Sequence, residues 1–173
     1  MAIHQIQVRY DIVADRLLLH VRTHEAELFS AWLTRRMVAR LRPPLRQAVT
    51  QVAVAHAMPQ AMAVPEARAM LEQAARDRPL PNADFTTRFA AEGSKQPLGP
   101  EPLLPTEVDI RGRPQGGLAL ALREAGGRRI ELQLDADLAT ALMRLLDQAL
   151  AGADWGLAPD APPAEAAPVG PLN

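Results

Sequence analysis

A chain of 173 residues, 48% of them apolar, is long enough to bury one core or two small halves that share one. A net charge of −1 excludes a globally basic nucleic-acid binder, and the absence of cysteine excludes disulfides and thiolate metal sites. No leader pattern opens the chain and no apolar run approaches the roughly 20 residues that cross a bilayer, so a cytoplasmic protein with no membrane partner is expected.

Ile6, Val8 and Tyr10 alternate with Gln5, Gln7 and Arg9, the period of two of a half-buried strand. A polar connection, Asp11 to Asp15, leads to a second strand with Leu17, Leu19 and Val21 on one side and Leu18, His20 and Arg22 on the other. After a turn at 23–27, Phe29, Ala31 and Leu33 alternate with Leu28, Ser30 and Trp32 in a third strand. Thr34 then suits an N-cap, and Met37, Leu41, Leu45 and Ala48 take up helical spacing. Pro43 and Pro44 predict a kink or a break, with a second helix running through Ala57. A further helix is predicted over 65–78, opened by Pro65, and 79–105 reads as an irregular Pro- and Gly-rich linker.

The plan then recurs. Val108 and Ile110 alternate with Glu107, Asp109 and Arg111. Turns at 113–117 and 124–129 separate strands marked by Leu118, Leu120, Leu122 and by Ile130, Leu132, Leu134. Asp135 caps a last helix with Leu138, Leu142, Leu145 and Leu146 on one side. From Leu17 to Val49 an offset of 101 aligns the two halves without a gap, and the first strands align at 102. We therefore expect an α+β fold of duplicated β-β-β-α units, with antiparallel sheets, packed helices and a pseudo-twofold relation. Residues 1–156 form one duplicated domain: a first unit at 1–50, a helical insert and linker at 51–105, and a second unit at 106–156. The Pro- and Ala-rich stretch 157–173 is expected to be a disordered tail.

Doubled strand-strand-strand-helix order, over roughly 5–50 and 106–150, resembles the architecture of PUR repeats and Whirly proteins. That resemblance implies single-stranded nucleic-acid binding on an antiparallel sheet face carrying aromatic and basic residues. Only the first half offers such residues, Arg9, His20, Arg22 and Trp32; the second shows Glu107, Asp109, Glu131 and Gln133 instead. The pieces Y-D-x-x-x-D-R-L-L-L and W-L-T-R-R also resemble an uncharacterised group of small bacterial proteins, which implies no activity.

Charge is unevenly spread. Residues 1–50 carry eight arginines against four acids, and 106–156 carry six against eight. On the first helix Arg35, Arg42 and Arg46 stack on one side with Arg36 and Arg40 nearby. This is either a cationic ridge for phosphate or an acidic protein, or a face paired to acids such as Asp137 and Asp147. Trp32 either stacks on a base, anchors a partner, or lies under the middle helices, apolar at 47–57 and 66–75, in a second small core. His20 and His24 lack a matching acidic ligand, and no phosphate-binding glycine loop, nucleophile elbow or zinc-binding H-E-x-x-H is present. The expectation is a non-catalytic protein-interaction or assembly module without cofactor or metal, self-associating through sheet edges or the Leu-rich faces. The alternative is single-stranded DNA or RNA binding through the face of Arg9, Arg22 and Trp32 with Arg35, Arg36 and Arg40.

Overall fold

The structure is a computed structural model, and it describes residues 2–54, 64–77, 79–80, 89–113 and 117–157. Its element order is β1 (Ile3–Asp11), β2 (Arg16–Thr23), β3 (Leu28–Leu33), α1 (Arg35–Val54), α2 (Pro65–Asp77), β4 (Glu107–Gly112), β5 (Leu118–Arg123), β6 (Arg129–Leu134) and α3 (Ala136–Ala151). The strands form two antiparallel meanders, β1-β2-β3 and β4-β5-β6, each followed by a helix. Short links between consecutive strands permit only this hairpin order. The predicted α+β fold of two β-β-β-α units is the fold observed.

Register places the apolar alternation as the sequence requires. Leu17 pairs Leu33, Leu19 pairs Ala31 and Val21 pairs Phe29, while Leu118 pairs Leu134, Leu120 pairs Leu132 and Leu122 pairs Ile130. These side chains share one core with Val38, Leu41, Leu45 and Val49 of α1 and Leu142 and Leu146 of α3. The helices cross between the halves. Helix α3 packs on β1, α1 packs along β4, and the helices pack on one another. A three-stranded meander is marginal alone, so each half here is completed by the other's helix.

The local signals that start the helices act as predicted. Thr34 Oγ1 accepts from Met37 N at 3.4 Å, and Asp135 Oδ1 accepts from Leu138 N at 2.8 Å. Of the kink or break expected at the proline pair, the break does not occur: α1 runs continuously from Arg35 to Val54 with Pro43 and Pro44 inside it. The bonds those prolines cannot make would go to the carbonyls of Ala39 and Arg40. Both residues are exposed, so water can replace the missing donors. Burial of Leu41, Leu45 and Val49 on the opposite side offsets a penalty of about 3 kcal/mol for an interior proline. The predicted continuation beyond Val54 and nearly all of the expected tail lie outside the described residues.

The middle segment covers an edge, as marginal sheets require. Leu28 N donates to Lys95 O at 2.7 Å, Trp32 N to Leu103 O at 2.8 Å and Leu103 N to Ser30 O at 2.8 Å. These bonds form parallel bridges that pair Glu27, just before β3, with Lys95 and Ala31 of β3 with Leu103. Arg128 fastens this strap to the second half. Its Nε and Nη2 meet the two carboxylate oxygens of Glu124 at 2.7 and 3.0 Å, and its Nη1 donates to the carbonyls of Leu98 and Glu101. Glu124 Oε1 also accepts from Leu104 N at 3.0 Å. The paired Arg128 guanidinium, joined by that amide, holds the Glu124 carboxyl below the usual range.

Candidate functional site

The nine residues singled out as a binding surface separate into three groups. On the outer face of the first sheet, Arg9 is exposed, but His20 lies against the ring of Phe89 at 5.5 Å between centroids. Arg22 Nε donates to Ser94 Oγ at 3.2 Å, and Ala90 N donates to Gln5 Oε1 at 3.3 Å. Trp32 is half-buried on this face, beside Leu18 at 4% and Leu28 at 7% exposure. Phe89, Ala90 and Ser94 therefore lie against this face, so among the described residues it is a loop that reaches the sheet beside Trp32 and not the middle helices expected to cover it. His20 Nδ1 is buried with no hydrogen-bond partner among the described residues, and burial followed by the nearby Arg9 charge lowers its pKa. His24 stacks on His4 at 4.8 Å rather than approaching His20.

The second group faces α3. Arg42 Nη2 meets Asp147 Oδ1 at 2.7 Å with an arginine side chain only 11% exposed, and Nη1 donates to Leu157 O at 3.4 Å. Arg46 is half-buried on the same stretch of helix. Arg42 and Asp147 thus fasten the two helices together, the pairing anticipated for an ordinary helix face.

The third group is what remains: Arg35, Arg36 and Arg40, all exposed. Arg35 lies near enough to the Asp15 carboxylate to favour its charge. Among the described residues, Arg36 and Arg40 make no ion pair or hydrogen bond. Both line an open cleft of about 930 Å³ whose other wall is Pro105 through Arg111, with Arg123. Consecutive residues of a strand point alternately to opposite faces, so a cleft lined by every residue from 107 to 111 runs along the edge of β4.

Backbone parity defines that edge. Arg113 N donates to Gly117 O at 3.1 Å, and the register pairs Asp109 with Ala121 and Arg111 with Ala119. Antiparallel ladders alternate hydrogen-bonded and non-bonded pairs. The backbone groups of Asp109 and Arg111 therefore turn toward β5, while those of Val108, Ile110 and Gly112 turn outward into the cleft. In the first half the same alternation turns Leu28, Ser30 and Trp32 outward from β3, and those are the residues the strap engages. Among the described residues no strand pairs with the outer edge of β4. Beside it, Asp109 meets Arg111 at 2.7 Å, and Arg123 approaches Glu107 at 3.9 Å and Asp109 at 4.0 Å.

At the other helix-sheet junction, Trp155 Nε1 donates to Asp15 Oδ1 at 2.6 Å and Tyr10 Oη donates to the same oxygen at 2.8 Å. The two rings meet edge-on at 5.9 Å. These donors, Trp155 first, hold the Asp15 carboxyl below its usual range, and the hydrogen bond Tyr10 donates to Asp15, joined by desolvation, raises the Tyr10 pKa. Asp11, by contrast, caps the turn, its Oδ1 accepting from Val13 N and Ala14 N.

Sequence reasoning missed the cleft because its second wall lies some seventy residues downstream of α1. The available signal was that the first strand of a meander is an edge strand, here with charges in the order Glu107, Asp109, Arg111. No protein-family model, curated protein or solved structure matches this chain.

Proposed function

We propose that this protein is a non-catalytic protein-interaction and assembly module, and that the α1–β4 cleft receives the partner. One observation carries this reading: among the described residues no strand pairs with the outer edge of β4, and Arg36 and Arg40 beside it have no ionic partner there. An extended segment laid along such an edge gains main-chain hydrogen bonds from Val108, Ile110 and Gly112, and its acidic side chains meet the arginines. The lining supplies arginine, carboxylate, threonine, proline and aliphatic groups, a set suited to holding a ligand.

The test is a photoreactive residue placed at Arg40 in cells, with the exposed Ala151 as the control position. Discrete protein adducts from position 40 and none from 151 are expected. Absence of adducts, or adducts with nucleic acid, overturns the reading.

Exposure of Arg9, Arg35, Arg36 and Arg40 supports a second reading, single-stranded nucleic-acid binding through these arginines, with Arg22 held by Ser94 and Trp32 half-buried. Fluorescence anisotropy of labelled oligonucleotides decides it. Affinity falling steeply with salt, as counterion release demands, and lost in Arg36→Glu would support this second reading; no binding at low salt would sink it.

A further inference from the structure

We infer that the partner at β4 is a second copy of this chain, joined antiparallel strand to strand about a twofold axis at Ile110. This rests on the interaction reading above and names its partner. Two edges can pair only through their outward-facing backbone groups, which on β4 belong to Val108, Ile110 and Gly112. A twofold axis through Ile110 satisfies that condition. Ile110 then exchanges both hydrogen bonds with its counterpart, and Val108 pairs with Gly112 on each side.

The side chains between these pairs select the same register. On the outer face the strand and its next residue read Glu107, Asp109, Arg111, Arg113, an order that becomes its own complement when reversed. With the axis at Ile110, each Asp109 stands opposite the other copy's Arg111 and each Glu107 opposite the other copy's Arg113. Moving the axis to Asp109 sets the two Asp109 carboxylates face to face. Moving it to Val108 sets Glu107 against Asp109 twice. Only the Ile110 register, among these three, contains no like-charge pair. Its four charged pairs occupy non-hydrogen-bonded positions, where facing side chains are closest and their charge signs count most.

The residues are placed to act. The side chains of Arg111 and Glu107 are 74% and 71% exposed. A Cβ at Gly112 would meet nothing within 4 Å, so the chain leaves room opposite Val108. The product is a continuous six-stranded antiparallel sheet, which removes the open edge of β4 from both copies.

Sedimentation equilibrium across micromolar to sub-millimolar concentrations tests the pairing with two charge-reversed variants. Asp109→Arg places arginine against arginine twice, and Arg111→Asp places aspartate against aspartate twice. Wild type is expected to dimerise, and each variant alone to dimerise about tenfold more weakly or less, with unchanged circular dichroism. An equimolar mixture of the two restores opposite charges at both positions and is expected to recover a heterodimer at wild-type strength. A monomeric wild type overturns the inference, as does a mixture no tighter than its components. A dimer indifferent to both reversals also overturns it but leaves the assembly reading standing. Protein adducts at position 40 together with a monomeric wild type would likewise separate the two.

Discussion

Leu45 on α1 and Leu146 on α3 occupy equivalent positions 101 residues apart, and both are fully buried. Truncating either to alanine removes the branched end of the side chain from the place where the helices and both sheets meet. Leucine-to-alanine changes at closed sites cost about 3–4 kcal/mol, the transfer loss plus the cavity left behind. Neither position touches solvent, so the upper part of that range is expected for both. With a urea slope of about 2 kcal/mol/M for a domain of this size, the midpoint should fall by roughly 1.5–2 M in each variant. Because α1 packs along β4 and α3 on β1, damage to either helix must loosen both sheets. Circular dichroism and tryptophan fluorescence should therefore report one coincident transition. If Leu45→Ala instead split the curve, with the second unit keeping its wild-type midpoint, the interlocked core would be refuted.

Arg42→Ala leaves Asp147 without its partner at a site where the arginine side chain is 11% exposed, and should cost about 2 kcal/mol in denaturant melts. Gly117 has φ +80°, and a Cβ there would collide with the Leu134 carbonyl oxygen. Gly117→Ala should accordingly destabilise by about 2 kcal/mol or more, read as a lower Tm. Asp15 has a folded pKa below its unfolded value, so its contribution is complete above about pH 4 and fades as pH falls through the folded value. Wild type should therefore lose stability more steeply than Asp15→Asn below about pH 4. Arg128→Ala releases the strap from the second half. Faster hydrogen exchange at the amides of Leu28, Trp32 and Leu103, which bridge strap and strand, should follow while β5 amides stay protected.

Much of the fold was legible because periodicity is local. Six strands and two principal helices follow from apolar spacing, and their order with short turns leaves one sheet topology for each half. The uninterrupted α1 was not legible, since two adjacent prolines argue for a break until exposed Ala39 and Arg40 show that the lost donors face water. Pairing of the helix arginines to acids such as Asp147 was legible as one alternative, but a helical wheel carries no information about neighbours and could not say which arginines would pair. The fold gives Arg42 to Asp147 and leaves Arg36 and Arg40 at the cleft. The clasp of Glu124 and Arg128 and the Tyr10–Asp15–Trp155 cluster depend on contacts that local patterning does not encode. Asp15 reads only as part of a polar connection, yet Trp155, 140 positions away, supplies its shortest hydrogen bond.

The open edge of β4 is tested most directly by amide hydrogen exchange along that strand at low and high protein concentration. Asp109 and Arg111 amides, turned toward β5, should be protected at both. Val108 and Ile110 amides should exchange quickly in dilute solution and become protected as the protein is concentrated. Rapid exchange at Val108 and Ile110 under every condition would contradict strand pairing at this edge, and protection even at high dilution would show that the edge is already covered within the single chain.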